Sequence, residues 1–211
     1  MTPLRDIDGL DVEYVDELLA DFRAHHGQVR VVYPAQPADL GRFRVAGARG
    51  RHAERAAAVL EQIRAVTAHR RNGYDEFGLI AHTPSGRVAA AMLAIGNIRQ
   101  GGVHRVVNLA STLQLRGAGT VLMAALASLA ARTQSGVAAS SEFEAIGFYE
   151  AIGMWGDDEG PHDDALEDRL LDMSWTEQQV QAVARLALQR GLAPAPPSSI
   201  TRRERSLGLA G

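Results

Sequence analysis

The segment Gln114-Leu115-Arg116-Gly117-Ala118-Gly119-Thr120 sets two glycines one residue apart, between an apolar run from Val106 to Ala110 and an alanine-rich stretch with the marks of a helix. Glycine lets a backbone approach a ligand closely and take dihedrals closed to other residues. The first amides of the following helix lack intrahelical partners and face an anion that the helix dipole favours. The chemistry this suits is the cradling of a pyrophosphate; a plain tight turn is the other reading of the same residues. A second group lies downstream in Ala145-Ile146-Gly147-Phe148-Tyr149-Glu150-Ala151-Ile152-Gly153-Met154, where Tyr149 follows Gly117 by thirty-two residues. Its phenol, with an ordinary pKa near 10, is protonated at neutral pH and able to donate.

Together these segments resemble the GNAT superfamily of acetyl-CoA-dependent N-acyltransferases. The family's Gln/Arg-x-x-Gly-x-Gly/Ala loop is matched by Gln114, Gly117 and Gly119, and its second element by Phe148, Tyr149, Glu150, Gly153 and Met154. The strong likeness runs from about Val103 to Met154, and agreement in element order extends from about Gln28 to Trp175. The resemblance implies acetyl-CoA as acyl donor, its pyrophosphate held by the backbone of Gln114, Leu115, Arg116, Gly117, Ala118, Gly119 and Thr120. The strand edge including Leu109, Ala110 and Ser111 would meet the pantetheine amides and the acyl carbonyl. Arg116 is either a phosphate partner or a solvated arginine beside the loop. Tyr149 is implied as the general acid for the departing thiolate, with packing of its ring on the preceding strand as the structural alternative. At the place where some members carry an acidic base this chain has Val103 and His104. His104 therefore stands as the candidate base, a surface histidine being the plain reading; Glu76, Glu142 or a chain of waters are the alternatives.

Other phosphate-binding patterns do not fit. A dinucleotide fingerprint needs a third glycine and an acidic residue about twenty positions on. Leu122 and Val137-Ala138-Ala139-Ser140-Ser141 stand in those places. No Gly-Lys-Ser/Thr occurs, which excludes a P-loop. Cysteine is absent, removing disulfides, thiolate metal ligands and a cysteine acyl-enzyme. All 22 basic side chains are arginines, which reads as codon bias or as selection against lysine in a delivered effector or a self-acylating enzyme. A net charge of −3 gives no global case for nucleic acid, and no apolar run reaches membrane-spanning length. The expected location is the cytoplasm, with a secreted effector as alternative; no metal is assigned, and a homodimer stays open. The expected acceptor is a primary amine of a small molecule or protein. The acidic segment Asp157-Asp158-Glu159-Gly160-Pro161-His162-Asp163-Asp164 would draw it if cationic, a solvated loop being the other reading. A non-catalytic acyl-CoA-binding module is the rival from another class.

The elements that must position these residues follow from periodicity. Helical spacing of Val12, Val15, Leu18, Leu19 and Phe22 predicts a helix over 11–26, and alternation predicts a strand over 28–33. A helix is expected over 51–70, strands over 77–82, 87–96 and 103–110, and a helix over 120–133. A short strand over 137–139 precedes a helix over 141–152 with Ser141 as cap and Glu144 at the capping-box position. A strand over 166–175 leads to a helix capped by Thr176 and Gln179 and ending near Arg190. The fold class is α/β, with a GNAT-like, mostly antiparallel central sheet flanked by helices. Residues 1–27 form a helical extension, 28–175 the acyltransferase-like domain, and 176–211 a helix with a Pro/Ser/Arg-rich tail that is disordered or a docking peptide.

Overall fold

The computed structural model describes residues 6–33, 40–45, 50–66, 75–96, 102–156 and 171–195. Seven strands make one sheet in the order β3 (Gln28–Val32), β4 (Asp75–His82), β5 (Val88–Gly96), β6 (Val103–Ser111), β7 (Gly136–Ser141), β9 (Leu171–Trp175), β8 (Trp155–Gly156). All neighbours are antiparallel except β6 and β7, which run parallel because α3 (Ala118–Arg132) crosses between them. The mixed, mostly antiparallel sheet and the order of elements agree with the expectation. Among the described residues no helix is long and apolar enough to cross a membrane.

Two buried clusters divide along the pleat, since successive strand residues face opposite sides. One face carries Val32, Ile80, Ala91 and Leu93 and is covered by α2 (Arg51–Val66) through Ala56, Leu60 and Ile63. Phe77, Leu79, Met92 and Val106 lie on the other, under α3. Twelve of the fifteen α3 residues are buried, more than a surface helix allows, because two further helices cover its outer side. These are α1 (Val12–Ala24), which contributes Val15, Leu19 and Phe22, and α5 (Glu177–Gln189), which contributes Val180, Val183 and Ala187. The extensions at both ends thus share the core of the domain they flank.

Capping agrees with the sequence at the start of α5. Thr176 with Gln179 forms the expected capping box there, and Asp11, expected as the first helical residue, instead caps α1 by accepting from the Tyr14 amide at 2.9 Å. The Gln179 amide also donates to Gly153 O at 2.6 Å and Asp8 O at 2.8 Å, tying α5 to both neighbouring turns. A hairpin of β1 (Asp6–Ile7) and β2 (Leu10–Asp11), turned at Asp8-Gly9 with positive φ at both, precedes α1; it was not expected, although Asp-Gly is a hairpin signal.

The expected helix over 141–152 is corrected. Ser141 pairs with Leu171 as the last residue of β7, and its hydroxyl donates to Glu142 O at 2.9 Å, so it caps nothing. A 3₁₀ turn over Phe143–Ala145 comes first, and α4 runs only over Ile146–Ala151. Gly191–Ala195, expected as the start of the tail, folds back with Leu192 buried and Ala195 O accepting from the Tyr33 hydroxyl at 3.4 Å. Residues 196–211 lie outside the described residues.

Candidate functional site

Parallel pairing of β6 with β7 ends at Val106 and Ala139. Beyond that point β7 continues along β9 through Ser140 and Ser141, while β6 continues along β5. The two strands part and a gap opens in the sheet. At the same place the β5–β6 register slips, with Ala94 opposite Val106 and Leu93 opposite Asn108, so that Val107 is an extra residue in β6. A bulge bends its strand and leaves that residue out of the ladder, which turns the edge from Val107 onward into the gap.

The gap holds a cleft of ≈ 290 Å³ with Asn108, Leu109 and Ala110 on one wall and Ser140, Ser141 and Glu142 on the other. Arg55, Val59 and Gln62 of α2 line it from one side, and Tyr149 of α4 also lines it. Asn108 donates to Gln62 at 2.8 Å, joining β6 to α2. Arg55 and Arg51 pair with Glu142 and Glu144, joining α2 to the segment after β7. Behind Ser140, its hydroxyl donates to Asp172 at 2.8 Å and Arg105 donates to both, so β6, β7 and β9 are linked below the opening.

Tyr149 is 5% exposed and stands edge-on to Phe148, ring centroids 5.0 Å apart. Burial pushes its pKa up to about 12, since removal from water disfavours the phenolate. The hydroxyl is therefore protonated across the physiological range, as an acid or hydrogen-bond donor at this place must be.

Both glycines of the loop lie against neighbouring elements. Gly117 is left-handed, φ 76°, and a Cβ built there would lie 2.4 Å from Leu18 O of α1, so its missing side chain makes room for α1. A Cβ at Gly119 would lie 3.3 Å from the Phe148 ring. Ala118 and Thr120 are buried, and Leu115 packs against the core. Gln114 Oε1 accepts from Arg87 at 3.3 Å, and the Ser111 hydroxyl turns to Ala89 O and the Leu113 amide. What the loop offers a phosphate is therefore backbone. The start of α3 has no side-chain cap and no acidic residue in its first turn, whereas α1 and α5 carry both. The Ala118 amide donates to Leu115 O at 3.4 Å, so among the described residues the Gly119 and Thr120 amides are the first-turn donors left for an anion. Arg116 is not simply solvated: its Nη1 donates to Glu17 at 2.7 Å and Asp21 at 2.8 Å, both on α1.

His104 is not brought to the cleft. It is fully buried on the α3 side of the sheet, edge-on to Phe77 at 5.8 Å, with Nε2 3.3 Å from the Thr133 hydroxyl and Nδ1 without a partner. Burial pulls its pKa down to about 4, so it stays neutral where an ordinary histidine begins to charge. Alternation along β6 sends Val106 and His104 to the same side, a consequence of strand periodicity that spacing to the loop does not reveal. Glu76 sits on β4, opposite Ile95 and away from the lining, whereas Glu142 lies on the cleft wall. The acidic segment from Asp157 to Asp164 lies outside the described residues.

A pH dependence follows from His104. Its unfolded pKa is near 6.5 and its folded value about 4, so between these the unfolded chain binds a proton that the folded one refuses. The stability contribution is complete above pH 6.5 and is lost as pH falls toward 4, by about 3 kcal/mol in all. His104→Leu removes this slope and the orphaned Nδ1. Urea midpoints of native and variant protein should diverge in favour of the variant between pH 7 and 5; parallel curves would show the imidazole does not titrate this way.

No protein-family model matches this chain, and no curated protein matches it in sequence. Solved structures do. A putative GNAT-family acetyltransferase from Desulfovibrio desulfuricans shares 16% identity at a TM-score of 0.47, and an acyl-CoA N-acyltransferase from Pseudomonas aeruginosa 16% at 0.45. ElaA of Escherichia coli shares 12% at 0.45. Each match covers 71% of this chain and 99% of the other. The likeness is one of fold.

Proposed function

We propose that the protein is an acyl-CoA-dependent N-acyltransferase, with acetyl-CoA as donor and a primary amine of a small molecule or protein as acceptor. The observation that carries this is the gap between β6 and β7 with the buried, protonated Tyr149 on its lining. A bare strand edge beyond Val106 suits an extended chain with amide groups, as pantetheine is, because unpaired strand backbone takes up such a chain by main-chain hydrogen bonds. The uncapped first turn of α3 suits the pyrophosphate.

In the reaction a neutral amine attacks the thioester carbon; the C–N bond forms, the C–S bond breaks, and the thiolate takes a proton from Tyr149. The phenol recovers its proton from water, which carries away the one the amine gives up. Asn108 and the other cleft groups orient the acceptor, and positioning supplies much of the acceleration in such a transfer. Glu142, exposed and held by Arg55, is the carboxylate on the cleft wall that can receive the amine's proton through water.

Calorimetry with acetyl-CoA, beside a thiol-release assay with polyamines, aminoglycosides and short peptides, tests the proposal. Binding of acetyl-CoA and amine-dependent release of CoA are expected. A chain that binds no acetyl-CoA is not this enzyme, and one that binds without release to any amine is a binding module.

A further inference from the structure

The helix α1 lies outside the span of the resemblance, and its acidic face meets the loop assigned to the pyrophosphate. Glu13, Asp16, Glu17 and Asp21 all stand on this helix. Carboxylates beside an anion site should weaken it by simple Coulomb repulsion. Two of them, Glu17 and Asp21, converge on Arg116, in the middle of the loop, at 2.7 and 2.8 Å.

Both bonds fall on one nitrogen, Nη1. The Nη2 and Nε donors, the edge that forms a two-point fork with a phosphate, are engaged by neither carboxylate. The side chain is 55% exposed. On the next residue, Leu18 O fills the space where Gly117 would carry a Cβ, so α1 and the loop are fitted at two adjoining points. The hydrogen bonds to Glu17, and then those to Asp21, hold the guanidinium pKa above its usual value.

We infer that α1 is part of the donor site: Glu17 and Asp21 are positioning residues that hold Arg116 by Nη1 so that its Nη2–Nε edge meets the diphosphate. This rests on the acyl-CoA reading above. A flexible surface arginine loses side-chain freedom on binding a phosphate, and fixing it beforehand removes that cost, as outer partners do for metal ligands. A function follows for the N-terminal helix, which completes the loop that the core domain alone would leave loose.

The inference has a sign opposite to simple electrostatics. Removing two negative charges next to an anion site should tighten binding; removing two groups that orient its arginine should weaken it. Acetyl-CoA affinity is measured by calorimetry in native protein, Glu17→Gln/Asp21→Asn, Arg116→Ala, Arg116→Lys and the combined Glu17→Gln/Asp21→Asn/Arg116→Ala. Arg116→Ala should weaken binding ~10- to 100-fold and flatten its salt dependence. The carboxylate pair should weaken it ~3- to 10-fold, and only while Arg116 is present. Arg116→Lys, a point charge without the fork, should not restore native affinity. Thermal midpoints report separately whether α1 stays docked.

Tighter binding by Glu17→Gln/Asp21→Asn overturns the assignment, as does equal loss with and without Arg116. Either result leaves the acyltransferase reading intact, because native affinity for acetyl-CoA is measured in the same series. Failure of the native protein to bind acetyl-CoA removes that reading and this inference with it.

Discussion

Tyr149→Phe should bind acetyl-CoA as the native protein does and turn over ~10- to 10⁴-fold more slowly, the range for a lost general acid. The substitution deletes one oxygen and keeps the ring, whose edge contact with Phe148 and place in the main core are apolar. Among the described residues the hydroxyl makes no protein hydrogen bond, so its loss leaves no buried partner orphaned. The fold should lose little, and unfolding midpoints should move by less than about 1 kcal/mol. A pH profile adds an independent check. With the phenol at about 12, Tyr149 imposes no alkaline limb between pH 6 and 10; any limb there belongs to the amine or the thiol and must survive in the variant. A variant with native turnover would mean that the thiolate leaves without help from this residue.

How far the sequence carried this site can be traced residue by residue. Strand and helix limits in the core were legible because their signals are local: apolar β-like runs gave β4, β5 and β6 to within two residues, and Thr176 with Gln179 marked the start of α5. The approach of the glycine loop to the second element was legible as a motif, a Cβ at Gly119 lying 3.3 Å from the Phe148 ring. What failed depends on long-range partners. Ser141 reads as a cap until β9 is known to pair with it, and His104 reads as a base until strand alternation is combined with α3 lying on that face. Arg116 and Gly117 are answered by residues 95 to 99 positions away on α1, a contact without any periodicity to announce it. The gap between β6 and β7 was invisible for the same reason, since it arises from β7 exchanging one neighbour for another.

That long-range fit decides which glycine can test the donor site. At Gly117 any side chain meets Leu18 O at 2.4 Å and must hold φ 76°, so a variant would displace α1 and confuse lost binding with lost structure. At Gly119 the nearest atoms belong to the Phe148 ring, 3.3 Å from a built Cβ, and a side chain can yield there by tenths of an ångström. Gly119→Asp is the informative change. It lies in the first turn of α3, where a carboxylate is favourable to the helix and competes for the amides an anion would take. The helix should therefore be retained while acetyl-CoA affinity falls by ~10- to 1000-fold, from charge repulsion at close range and occupation of the donors. Gly119→Ala introduces the same Cβ without charge and should stay within about threefold of native, since a crowding cost at Phe148 would appear in both variants. Equal loss in Ala and Asp would assign the effect to Phe148. Native affinity in Asp would mean that the start of α3 holds no phosphate.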